Sequence, residues 1–159
     1  MDESTLLRKI IENFKKQYLL YLKVWDLARE QERCLSLENK GADIDLFIKI
    51  MREREAIIRE VSILNEENVK MRNHVTSMLG IESFSLSQLK DRTKPKVFDE
   101  LSQIMTDMNR VLLEISEIDQ KNMVFIKDMT GVRCKSPKAS HEEAKKFYTQ
   151  VMQQKKCIF

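Results

Sequence analysis

In three stretches of this chain apolar residues recur in alternating steps of four and three, a pattern that few architectures other than a bundle of long helices can satisfy. In the first stretch Leu7, Ile11, Phe14, Tyr18, Tyr21, Trp25, Ala28 and Leu35 keep the spacing, and Glu32 is the exception. In the second, Phe47, Ile50, Ile57, Val61, Leu64, Met71, Val75 and Met78 keep it, with Arg54 and Asn68 as exceptions. The third runs Val97, Leu101, Ile104, Met108, Val111, Ile115, Ile118, Phe125 and Met129, and fails only at Asn122. A helix turns once per 3.6 residues, so each series gathers on one side of its helix, and ~35 residues make a rod about 50 Å long. Leu20, Leu27, Ile58, Phe98, Met105, Leu112 and Ile126 widen the stripes beyond the need of a two-stranded coiled coil. The expected fold is all-α: an antiparallel bundle of three long helices with a left-handed twist, plus a shorter C-terminal helix.

Turn formers are too scarce for a sheet protein, with three Gly and two Pro among 159 residues. The three glycines, Gly41, Gly80 and Gly131, each stand just beyond a periodic stretch, where they serve as helix stops. The spacing therefore predicts helices over 5–38, 44–79 and 96–130, started by Ser4 or Thr5, by Asp43 and by a residue near Pro95. Between the second and third, Phe84, Leu86 and Leu89 supply enough apolar surface for one short helical turn. Beyond Gly131, Val132 to Ala139 with Pro137 reads as a hinge, and Ser140 with Glu143 forms a capping box for a helix to about Gln154. The expected division is a long-helix bundle over 1–131 and a hinge with an amphipathic tail over 132–159.

Several classes of function lack their residues. There is no Gly-rich phosphate cradle, no nucleophile elbow and no His pair at helical spacing. His74 sits on a helix, as in phosphotransfer modules, but Asn73-His74-Val75-Thr76 lacks the Lys and Gly expected beside such a histidine, so a surface residue is the better reading. The 25 acidic residues mostly alternate with basic ones and read as solvated faces. Cys34, Cys134 and Cys157 are odd in number and far apart, which suggests reduced thiols, and Cys157 stands third from the end, out of place for prenylation. No apolar run suffices to cross a bilayer and Met1-Asp2-Glu3 does not open a signal peptide, so a cytoplasmic protein is expected, with no membrane insertion. No cofactor and no enzymatic activity are expected.

Binding surfaces are the better prospect. Between 127 and 159 there are eight Lys or Arg against three Asp or Glu, in a chain of net charge +3. Nucleic-acid binding would want a denser basic stripe with aromatic residues to stack bases, so none is expected. The tail places Ala144, Phe147, Tyr148, Val151 and Met152 on one side of its helix, a face able to cap the bundle or bind a partner. Nine methionines add an adaptable surface. Met108 and Met129 lie on the seam and fill the core, whereas Met105 and Met123 lie off it and are candidates for a partner. Asn68 and Asn122 read as register-setting polar residues or as partners in a hydrogen bond between helices.

Some of these residues resemble a family. Tyr18-Leu19-Leu20-Tyr21-Leu22, followed by Leu27, Gln31 and Leu35 and then by Leu46 to Ile58 with Arg52-Glu53-Arg54-Glu55, resembles the opening hairpin of FlgN-type flagellar export chaperones. Met78-Leu79-Gly80-Ile81 with Ser85-Leu86-Ser87-Gln88-Leu89 is similar to the family's Leu-Gly helix end and its following short segment. Ile118-Asp119-Gln120-Lys121-Asn122 with Phe125-Ile126 looks like its late-helix asparagine and apolar pair. The resemblance covers about 15–131 and stops there. It implies a cytoplasmic, non-enzymatic chaperone of flagellar type III secretion that binds hook-associated proteins, shields their disordered C-terminal segments and delivers them to the export apparatus. Under that mode the partner-binding residues would be Met105, Met123, Ile126, Phe147, Val151 and Met152, on a monomer or weak dimer. The alternative is a homo-oligomeric coiled-coil scaffold whose seams close between chains.

Overall fold

The computed structural model describes residues 2–35 and 43–131, with side chains as far as 128. Four helices follow in order: α1 (Glu3–Leu35), α2 (Ile44–Leu79), α3 (Leu86–Leu89) and α4 (Pro95–Gly131). Among the described residues there is no strand, and the fold is an all-α bundle. The expected tail helix from Ser140, the hinge with Pro137, and Gly41, Cys134 and Cys157 lie outside the described residues.

The ends of the helices follow local chemistry. α1 starts earlier than its apolar spacing suggests, because Asp2 is its cap in place of Ser4 or Thr5: the Thr5 N–H donates to the Asp2 carboxylate at 2.8 Å. A carboxylate there also meets the positive end of the helix dipole, which a hydroxyl does not exploit. Asp43 opens α2 in the same way, accepting the Leu46 N–H at 3.0 Å. α2 ends as expected at Gly80, whose φ of +61° suits a residue without Cβ. There the Ile81 N–H reaches the Thr76 carbonyl at 3.1 Å and the Gly80 N–H the Ser77 carbonyl at 3.4 Å, the paired closure of a Schellman motif. The short turn predicted around Phe84, Leu86 and Leu89 is α3, and its Leu89 is fully buried. Pro95 is the first residue of α4, a position with no use for an N–H. That helix runs through Gly131 rather than stopping before it.

Two compact units divide the chain, and each has its own core. The first joins Met1–Tyr21 with Arg59–Arg110. Leu7, Ile10, Ile11 and Phe14 of α1, Val61 and Val75 of α2, Leu89 of α3, and Leu101, Ile104 and Met108 of α4 are buried in it. Asn13 donates to Glu67 at 3.3 Å and Gln17 donates to the Val61 carbonyl at 3.5 Å. Going up α1 thus means going down α2, so the pair is antiparallel in this unit. The second unit joins Leu22–Ile58 with the chain from Val111 onward. Val24, Ala28, Leu35, Phe47, Ile50, Met51, Val111, Ile115 and Ile118 are buried there, with the free thiol of Cys34. Each fully buried Leu or Ile contributes roughly 1.5–3 kcal/mol of transfer free energy.

Candidate functional site

The polar exceptions on the apolar seams take the most distinctive geometry. Arg54 is fully buried in the second unit, and its two terminal nitrogens meet the two Asp119 oxygens, each at 2.8 Å. Nη1 also donates to Gln31, which is itself fully buried. Such a fork-on-fork pair is the geometry in which a guanidinium and a carboxylate are strongest. Asn122, on the same helix as Asp119, is buried beside the seam. Asp119 corrects the expectation that the carboxylates are solvated, for it is 2% exposed. Only its pairing makes that tolerable, since an unpaired buried charge would be expelled or neutralised. In this cluster each Asp119 oxygen accepts from a different terminal nitrogen of Arg54. The cluster fastens α1, α2 and α4 together at one level of the second unit.

The first unit treats its polar seam residues differently. Asn68 is fully buried, yet neither its amide nitrogen nor its amide oxygen meets a partner among the described residues. The expected hydrogen bond between helices is therefore not made by this side chain. One turn further along α2, Arg72 is half-buried, and its Nε also lacks a partner among the described residues. Burial lowers the Arg72 pKa from its ordinary value, and no acidic group opposes the shift. On the surface, Lys15 pairs with Glu100, which holds the Glu100 carboxyl below the usual range.

The residues expected to bind a partner are spread out. Met105 is half-buried on α4 in the first unit, while Met123 and Ile126 are half-buried on α4 in the second. Phe147, Val151 and Met152 lie outside the described residues. Phe125 corrects the seam of the third stretch: it is 40% exposed instead of buried. Lys121 of α4 stands level with Glu32 of α1 through an ion pair at 4.0 Å, so Phe125 lies at a level beyond Leu35, the last described residue of α1. Val124 beside it is 59% exposed, and Leu113, eleven residues earlier on the same face, is 43% exposed. Met78, the last seam residue of α2, is also exposed.

His74 is on the surface, as expected. Cys34 is buried, and its thiol is pushed up by that burial, with the charges of Asp43 and Glu30 adding to the effect. Among the described residues no group of three or more His, Cys, Asp or Glu could hold a metal ion, and no helix is long and apolar enough to cross a membrane. Comparison of the chain with protein-family models, with curated proteins and with solved structures gives no match.

Proposed function

We propose that this chain is a cytoplasmic, non-enzymatic binding protein of the flagellar export-chaperone kind, which holds the C-terminal segments of hook-associated proteins until export. The observation that carries the reading is the far end of α4, where Val124 and Phe125 stay exposed with Met123 and Ile126 half-buried beside them. The resemblance of the sequence to FlgN-type chaperones supplies the class of client. An amphipathic segment without its own helical neighbours exposes an apolar face, and an unpartnered helix face covers it by receiving it as one more helix. Ordering such a client costs several kcal/mol, so only a wide contact holds it, and the same cost keeps the complex releasable. Phe147, Val151 and Met152 of the tail, outside the described residues, belong to the same reading as partner-binding residues.

Titration calorimetry of the full chain against the C-terminal segment of a hook-associated protein tests this. A stoichiometric complex is expected, weakened at least about tenfold when Val124 and Phe125 are both replaced by Asp, because a hot spot loses more than 1.4 kcal/mol on such a change. No heat at low or moderate salt would sink the proposal. An obligate homo-oligomer that binds no client would return these residues to a scaffold.

A further inference from the structure

A second surface lies on α2 in the first unit. Ser62, Asn65, Val69, Arg72 and Thr76 follow the same alternation of three and four residues as an apolar seam, yet four of the five are polar. Val69 is 38% exposed and the other four are half-buried. By helical rotation this stripe flanks the buried line of Val61, Asn68 and Val75 on one side. Glu67, which accepts the bond from Asn13 of α1, is on the other side. Heptad spacing on a half-open face is the form in which a helix accepts another helix along its length.

We propose that this stripe docks a partner helix that carries Asp or Glu on the face turned toward Arg72. Charge complementarity selects the occupant. Arg72 is removed from water on one side, has no carboxylate among the described residues, and has its remaining surface open to an arriving one. The chain's own segment beyond 127, with seven basic residues against three acidic, has the wrong sign to fill it. A planar guanidinium receives a carboxylate through two parallel bonds, which gives direction as well as attraction. The proposal is independent of the client on the far end of α4.

The test uses the full chain and two synthetic amphipathic peptides of about three heptads, alike except that one carries Glu where the other carries Gln flanking its Leu seam. Fluorescence anisotropy is expected to give about tenfold tighter binding of the Glu peptide, the usual return of one charge-assisted pair. Arg72→Met should abolish that preference, and Lys70→Met, which removes an exposed charge from the same helix, should leave it intact. Arg72→Met should also melt no lower than the parent, since it deletes a desolvated charge, and Arg72→Lys should retain part of the preference if the fold of the first variant is in question. Equal affinity for the two peptides, or a preference that survives Arg72→Met, overturns the proposal. So does an Arg72-dependent dimer in sedimentation equilibrium without peptide, which would make a second copy the occupant.

Discussion

The two units of this protein face one problem, a polar side chain withdrawn from water in an apolar core, and meet it to different degrees. In the second unit Arg54 finds Asp119 and Gln31, and its buried charge is paired through both terminal nitrogens, although the amide nitrogens of Gln31 and Asn122 have no partner among the described residues. In the first, Asn68 and the Nε of Arg72 are withdrawn from water without a partner among the described residues. A closed network defines how three helices align, at the risk of a large loss if one member goes. An open one forgoes stability and keeps polar capacity in reserve. The contrast separates a part of the molecule built to hold its own helices from a part with a surface still able to take another.

The largest effect should come from opening the closed network. Arg54→Ala leaves Asp119 buried and alone, and a loss of about 3–5 kcal/mol is expected by urea denaturation at neutral pH. A loss under about 1 kcal/mol would mean that Asp119 reaches water, and the contrast between the units would fail. Removing both charges gives the sharper result. Arg54→Met with Asp119→Leu should be neutral or more stable than the parent by about 1–4 kcal/mol, because neither ion is then desolvated. In the first unit, Asn68→Leu should gain about 1–2 kcal/mol, since no bond is lost and an unsatisfied buried amide is removed. A loss there would show that Asn68 is satisfied after all, and would erase the difference.

Acid should produce the smallest effects. The pKa values of Glu100, held down by Lys15, and Asp2, held down by the Thr5 hydroxyl and then the Thr5 N–H, lie below their unfolded values. Their stabilisation is present above the unfolded carboxylate range and is lost as pH falls through the lower folded values. Both are exposed, so Lys15→Ala should change stability by no more than about 0.5 kcal/mol at pH 7 and vanish as a difference in strong acid.

Much of the fold was legible from residues that act locally. Asp43, Gly80 and Pro95 fall where a cap, a left-handed stop and a first helical residue belong, and each acts on the turn it sits in. The Arg54 cluster was not legible, because a seam says which side of a helix is buried and nothing of which level of one helix meets which level of the next. Arg54 reads as an isolated exception on its seam, and nothing in the spacing marks Gln31 or Asp119 as its partners. Phe125 misled for a related reason: periodicity marks it as a seam residue without saying whether another helix stands at its level. Asn68 was recognised as a buried polar position but not as an unbonded one, since an amide's partners come from other helices.

The buried thiol of Cys34 gives the second unit a built-in clock. Alkylating reagents attack only the thiolate, and a cysteine 4% exposed, with its pKa raised by burial, presents almost none of it while the unit is closed. Labelling therefore waits on an opening event, and its rate reads the free energy of that opening. With Cys134 and Cys157 replaced by Ser, the rate at Cys34 would time how often the helices around the Arg54 pair let go, and would show directly whether a bound client slows them.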